Sequence, residues 1–576
     1  ATVSDRRAAG VLAALAVGDQ SAIERDDWQL FRNTGVAHLM SISGLHVTMF
    51  AWVAGLLIAL LWRRSVRAML WLPAPLAGRW GGLLAATGYA LFSGWGVPAQ
   101  RTVWMLATVV VLQWAGRRWP WPLVLLAAGV VVSAFDPWAL LQPGFWLSFM
   151  AVGLLMSSEP VLRRHEPAAD PTRLQRLGSS VKAGLRTQVI ATVGLTPLTL
   201  VFFQQVSLVG FAANLVAIPL VTLVITPLAL LGVLFSPLWL AGAWVQDLLA
   251  VGLTWLAQVP GAVWLAAVAP LWAQLAGLCA AALMVLPLPW RVRLLSLPLV
   301  MPLLLPVREL PAEGRYELLA VDVGQGTAVL VRTRQHLLVY DAGPQYSRDS
   351  DAGQRVLLPL LRARGETRID RLVLSHRDLD HVGGALALVK NMQVTDLLSS
   401  LEPGHPLLAQ APRPARCEAG QSWGWDGVRF EVLHPQPIHY ERALKSNAMS
   451  CVVKVSSPQG TALLTGDIER QQEAELLATQ RDALRSDLLL VPHHGSRTSS
   501  TGEFLDAVAP REAVVQAGYR NRFGHPVAEV MGRLRERGVL IHASPACGAW
   551  HWSGASPGTC QRDLALRYWQ HPLRTE

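Results

Sequence analysis

The chain has 576 residues, 52% of them apolar, a mean hydropathy of +0.32 and a formal net charge of +10. So apolar a composition excludes a chain that is water-soluble throughout, and five cysteines exclude a dense disulfide framework. The charge is lopsided: residues 307–576 carry 31 Lys and Arg against 30 Asp and Glu, leaving 19 against 10 for residues 1–306. The basic balance thus reports loops beside a membrane and says little about nucleic acid in the other half.

Residues 1–44 have neither an initiating Met nor the charged and apolar regions of a signal peptide, and read as the interior of a longer chain. Apolar residues at helical spacing in Ala8–Ile23 predict a helix lying on the membrane surface or against a bundle. Ser41-Ile-Ser-Gly-Leu-His46 is too polar to face lipid and suits the lining of a passage. Ten apolar stretches then suit a bilayer core about 30 Å thick: 47–62, 80–95, 101–116, 119–135, 144–157, 188–206, 208–235, 238–258, 263–289 and 294–306. The stretch 208–235 holds Pro219 and Pro227 and reads as a broken helix lining a cavity.

Orientation follows from the basic loops. Arg63, Arg64 and Arg67; Arg117 and Arg118; Arg163, Arg164, Arg173, Arg176, Lys182 and Arg186; and Arg291 with Arg293 all fall on one side if ten spans cross. That side is the cytoplasm, which puts both termini outside. Pro298, Pro302 and Pro306 make the tenth stretch the weak point of the count. Ionisable groups at membrane depth are costly and default to function, so His46, Arg101 and Asp247 are channel candidates. Against this, Arg101 can snorkel to the interface, and Asp247 can lie outside a mis-drawn span.

From residue 307 the pattern changes to short strands alternating with helices, the mark of a layered α/β domain. Val329–Thr333 and Leu337–Asp341 read as paired strands. Polar clusters repeatedly follow apolar strands: Asp322-Val-Gly-Gln-Gly326, Asp341-Ala-Gly343, Ser375-His-Arg-Asp-Leu-Asp-His381, Thr465-Gly-Asp467, Pro492-His-His-Gly-Ser496 and Asn521-Arg-Phe-Gly-His525. One such cluster could be a solvated loop; several ligand-bearing strand ends in order could not. The spacing H-x-D-x-D-H lets one short loop serve two adjacent ions, with Asp467 bridging from another strand. None of Cys417, Cys451, Cys547 and Cys560 lies in a CxxC pair, and buried free thiols are the favoured reading over a Cys547–Cys560 disulfide.

The loop resembles the signature H-x-H-x-D-H of the metallo-β-lactamase superfamily, with Asp378 in place of its second His. That resemblance implies His376, Asp378, Asp380, His381 and Asp467 as metal ligands, joined by His525. A further His ligand, normally found before the bridging Asp, has only His405 and His434 as candidates, so His493 or His494 fills the gap. The expectation assigns His493 to the metal and His494 to acid catalysis, with Asp380 and His525 counted as catalytic as well. A carboxylate at 378 and the lack of thiolates favour two Mn²⁺ over Zn²⁺.

Together with Thr34-Gly-Val-Ala-His-Leu-Met-Ser-Ile-Ser-Gly-Leu-His46 and Asn214-Leu-Val-Ala-Ile-Pro219, these motifs resemble the ComEC family, the DNA-uptake channels of naturally competent bacteria. The resemblance implies a polytopic helical competence domain (1–306), truncated relative to the family at its N-terminus, and an αββα metallo-β-lactamase-like nuclease domain (307–576). It implies an inner-membrane channel passing one DNA strand and degrading the other from an extracytoplasmic domain. Its partners would be DNA, membrane lipid, a DNA receptor and a cytoplasmic translocase. Rival readings are a transporter whose lactamase-like domain senses without cutting, and a membrane-anchored hydrolase of lipids or lactones.

Overall fold

Ser43 starts the first long helix, Gly44–Trp62: its side chain accepts the His46 N–H at 3.4 Å, and its own N–H donates to His46 Nδ1 at 3.3 Å. The computed structural model describes residues 3–117, 119–158, 173–286, 288–554, 557–565, 567 and 570. Arg118, Arg163 and Arg164 of the basic loops lie outside the described residues. The chain divides into two units, Ala1–Val307 and Arg308–Glu576.

In the first unit, Gly44–Trp62 packs along Ala74–Phe92 through glycine. A Cβ on Gly55 would lie 2.7 Å from the Gly78 carbonyl oxygen, and one on Gly78 2.7 Å from that of Gly55. Apolar helices have no hydrophobic drive toward each other in lipid, so close backbone approach supplies the attraction. Helices Val97–Trp114, Trp121–Phe135, Pro143–Ser158 and Pro237–Ala257 follow the expected stretches, whereas Arg173–Phe203 starts well before 188 and takes Arg173, Arg176, Lys182 and Arg186 from the expected loop into the helix. Among the described residues, Ala37–Trp62, Val181–Phe203, Gly210–Leu231 and Pro237–Ala257 are long and apolar enough to cross a membrane. Helix Arg6–Val17 buries Ala8, Val11, Leu12 and Leu15 against the bundle, the second of the two expected placements.

Three further expectations for this unit need correction. Residues 208–235 do not break: Gly210–Leu231 is continuous, with a π turn at Val221–Ile225 between Pro219 and Pro227. Widening the helix there is one way to accommodate the ring and the lost N–H of a proline. The stretch 263–289 opens not as helix but as a strand, Val263–Leu265, antiparallel to Gln205–Ser207, and becomes helical only at Leu271–Val285. The tenth stretch, 294–306, is helical only over Ser296–Leu304, after a single turn at Trp290–Arg293, and folds back so that Leu303 rests on Gly277.

In the second unit, the described residues form an eight-stranded and a seven-stranded sheet. The expected hairpin is present: Val329–Arg332 runs antiparallel to Leu337–Tyr340. Successive side chains leave a strand on opposite faces, and both faces are buried. Val329, Val331, Leu338 and Tyr340 meet Phe430, Val453, Val455 and Leu464 between the sheets. Leu330 and Val339 face outward to Leu357, Leu361 and Leu388, while Leu463 and Leu489 of the second sheet face Leu476, Phe504 and Val530. The result is four layers: helix, sheet, sheet, helix. Sulfur chemistry differs from expectation, because both Cys417–Cys451 and Cys547–Cys560 are disulfides. Position in sequence gave no sign of Cys417–Cys451; folding brings those two residues, at the rims of opposite sheets, together.

Candidate metal centre

The strand Arg368–Leu374 ends at Ser375-His376, and the chain turns into a short helix, Leu379–Val382. Gly383 and Gly384 let this turn lie directly on the backbone of Ala342–Gln345 and Gly353, where a Cβ on either would collide. That contact sets the H-x-D-x-D-H loop beside the end of the neighbouring strand Leu337–Tyr340. Asp341 follows that strand in the left-handed region (φ 58°). Asp467 follows Gly460–Leu464 across the sheets, its N–H donating to Ser450 Oγ at 3.0 Å. His493 and His494 also lie at positive φ (51° and 54°), a conformation costly without glycine and typical of functional strain.

Around Asp467 four imidazoles converge. His381 Nε2 is 3.2 Å and His376 Nε2 4.0 Å from its carboxylate, with His494 Nε2 at 3.6 Å and His493 Nε2 at 3.9 Å. Asp380 lies 3.3 Å from His494 Nε2, and Asp378 3.6 Å from His376 Nε2. Ligand atoms of His376, His381 and Asp467, and of Asp380, His381 and His494, fall within 4.8 Å of one another. His525 lies beside this group, its ring tilted against that of His493 with centroids 5.9 Å apart. All the expected ligands except the more distant His525 therefore gather round Asp467. His405 is turned to the Leu407 N–H, and His434 joins a separate cluster with His439 and Glu475, so neither completes the set.

The outer groups fix the rings. His381 Nδ1 donates to Asp341 Oδ2 at 2.7 Å, and Asp341 also accepts the Ser375 N–H and Oγ–H, each at 2.7 Å. His376 Nδ1 faces Ser375 Oγ at 3.0 Å, and His494 Nδ1 donates to the Gln516 carbonyl at 2.7 Å. Each arrangement turns a bare Nε2 inward. These atoms, with Asp467 Oδ1, are buried and, although His381 Nε2 lies 3.2 Å from Asp467 Oδ1, form no well-aligned hydrogen bond among the described residues. Buried polar atoms are rarely left unpaired, and imidazoles held by outer carboxylates or carbonyls are the usual form of metal ligands. The donor set fits divalent ions. Asp341, Ser375 and Ser450 went unassigned in the sequence; Asp341 had only its place at a strand end to signal it.

The potential matches. Burial opposes charge on His381 and His494, yet Asp467, Asp341 and Asp380 outweigh it and hold both imidazoles above their ordinary range near 6.5. Burial likewise opposes charge on Asp380, but His494 and His381 hold it down to about 2. Asp467 is held well below the usual carboxylate range by His381 and His494 despite its burial. His493 differs: burial lowers it, and with 21% of its side chain exposed it sits at the mouth, Nδ1 3.1 Å from Thr498 Oγ1.

The channel candidates lie in the helical unit. His46 and Arg101 are buried, while Asp247 is exposed on Pro237–Ala257.

Residues 15–293 match the family "Competence protein", and residues 321–519 the "Metallo-beta-lactamase superfamily". The chain is 37% identical to "Competence protein ComA" of Neisseria gonorrhoeae over 97% of this chain and 77% of that one. It is 28% identical to "ComE operon protein 3" of Bacillus subtilis, over 92% and 70%. The metallo-β-lactamase fold protein YhfI from Bacillus subtilis matches 41% of this chain and 99% of its own at 12% identity and a TM-score of 0.28. Long apolar helices and these relatives make this a membrane protein. It belongs to the ComEC family of competence proteins, a helical competence domain joined to a metallo-β-lactamase-fold domain.

Proposed function

We propose that this protein takes up DNA during competence, the helical unit passing one strand and the metallo-β-lactamase-fold unit cutting the other. The carrying observation is the pair of ligand triads that share His381 beside Asp467, since two adjacent ions suit phosphodiester displacement. Two divalent ions held there would supply Lewis-acid charge and an activated water. His376, Asp378 and Asp467 would hold one ion; Asp380, His381, His494 and Asp467 the other. This reverses the expected roles of the paired histidines, because His494 has the buried, outwardly anchored ring and His493 the accessible one. His493, oriented by Thr498 and Glu469, carries the proton to the leaving oxygen, with His525 beside it.

Nucleic acid is favoured over lipid or lactone by the loop entering His525. Tyr519, Arg520, Arg522 and Phe523 are exposed there, with Arg520 over the Tyr519 ring at 5.3 Å and Arg522 over Phe523 at 4.8 Å. Alternating aromatic and cationic side chains suit stacked bases and their phosphates. The two disulfides favour an extracytoplasmic location for this unit on the inner membrane, where a DNA receptor and a cytoplasmic translocase would act with it.

The test is cleavage of single- and double-stranded DNA by the purified chain with defined metals, beside Asp467→Asn. Loss of cleavage and of metal in the folded variant is expected; wild-type cleavage would sink the dinuclear reading. Reporter fusions after Arg186 and Val307 test orientation, with cytoplasmic and extracytoplasmic signals expected in turn.

A further inference from the structure

Arg101, near the start of the Val97–Trp114 helix, is 8% exposed, yet its Nε and Nη1 meet no hydrogen-bond partner among the described residues. A guanidinium cannot shed its charge in a protein, and a buried charge persists only when something compensates it. Asp136 is close enough for its charge to be felt, but Arg101 Nε and Nη1 make no hydrogen bond to it. The charge is aimed elsewhere, at the first turn of the Pro143–Ser158 helix. A Cβ on Gly144 would lie 3.0 Å from Arg101 Nη2 and 3.1 Å from Nη1.

That turn is itself positive. A helix begins with N–H groups that have no acceptor within the helix, and its dipole adds partial positive charge. Pro143 brings no N–H, and the Phe145 N–H is used by the Gln142 carbonyl at 3.0 Å, so Gly144 presents the open position. Two cationic features from separate helices, one of them a buried side chain, meet here, the guanidinium lying against Gly144 where a Cβ would crowd it. A single anion with several oxygens would satisfy both.

We propose that Arg101 and the first turn of Pro143–Ser158 bind a backbone phosphodiester of a DNA strand threading the helical unit. The proposal rests on the DNA-uptake reading above. A phospholipid headgroup offers the same phosphodiester, and the experiment below separates the two.

The experiment measures binding of a fluorescent oligothymidylate to the full chain in nanodiscs, across a salt series, with EDTA present to prevent cutting. A methylphosphonate oligomer of equal length serves as the uncharged control. Arg101→Gln should weaken oligothymidylate binding roughly tenfold and lower the slope of log affinity against log salt by about 0.7, the value for one phosphate contact on a single strand. Arg101→Gln should leave methylphosphonate binding unchanged. Gly144→Ala keeps the charge but pushes the guanidinium off the helix start, and should weaken binding in the same direction, which guards against a folding defect in Arg101→Gln. Unaltered binding and slope in both folded variants would overturn this site alone; no binding by the unaltered chain would overturn it together with the uptake reading. Copurified anionic phospholipid that falls in Arg101→Gln while oligothymidylate binding does not would assign the pocket to lipid and overturn the proposal.

Discussion

Replacing Asp341 by Asn leaves every proposed ligand in place and tests whether the ring-holding shell matters. Asp341 Oδ1 accepts the Ser375 N–H, while Oδ2 accepts both Ser375 Oγ–H and His381 Nδ1–H, all at 2.7 Å in a fully buried setting. An amide cannot reproduce this. With its NH2 at the Oδ2 position it meets two donors, and flipped it meets the Ser375 N–H. One charge-assisted bond is lost, about 1.5–3 kcal/mol, and His381 is no longer held with its lone pair inward. Outer-shell changes of this kind cost roughly 10–100-fold in metal affinity, or about 1.4–2.8 kcal/mol, so the two figures agree. The assay is competition with a fluorescent chelator at fixed pH, with circular dichroism to confirm folding and DNA cleavage repeated at saturating metal, where part of the activity should return. A metal affinity within about twofold of the unaltered protein, in a folded Asp341→Asn, would refute the reasoning.

His494→Ala should lose metal, whereas His493→Ala should keep metal and lose cleavage rate; elemental analysis beside kinetics decides, and the opposite pattern would restore the order expected from sequence. Mn²⁺ should support faster cleavage than Zn²⁺ at matched occupancy, and Asp378→His should shift preference toward Zn²⁺; faster turnover of the unaltered chain with Zn²⁺ would count against an oxygen-rich site. Because His381 and His494 are held above their ordinary range, protons should compete with metal from neutral pH downward, and affinity should fall as pH falls, by up to about tenfold per unit for each proton displaced. Equilibrium dialysis at graded pH would show otherwise if affinity were flat between pH 8 and 6.

The ligand loop was legible because its groups are contiguous: His376 to His381 lie on one turn after one strand, and Asp467 ends another. What holds them was not. Asp341 is 34 residues before Ser375 and 40 before His381, and only the adjacency of parallel strands at Leu337–Tyr340 and Arg368–Leu374 brings them together. The order of His493 and His494 depends on which ring the backbone turns inward, a matter of two positive φ angles that residue types do not announce. In the helical unit, apolar runs located the helices, but their ends were set by caps and pairings such as Val263–Leu265 with Gln205–Ser207. Hydropathy alone does not separate a helix from a strand end.

The cysteine pairs have a consequence for the chain before it folds. Closing loops with sequence separations of 34 and 13 removes conformational freedom from the unfolded chain, worth roughly 4 and 3 kcal/mol in the chain-entropy account. Their sum is comparable with the whole stability of an ordinary domain. One of these links matters locally. Cys451 follows Ser450, whose hydroxyl receives the Asp467 N–H, and its own N–H is tied to the Ser375 carbonyl at 2.8 Å. The Cys417 bond therefore anchors the backbone beneath the candidate metal centre from both sheets. In a reducing compartment the same polypeptide would regain that freedom, and the floor of the cleft would be among the first regions to loosen.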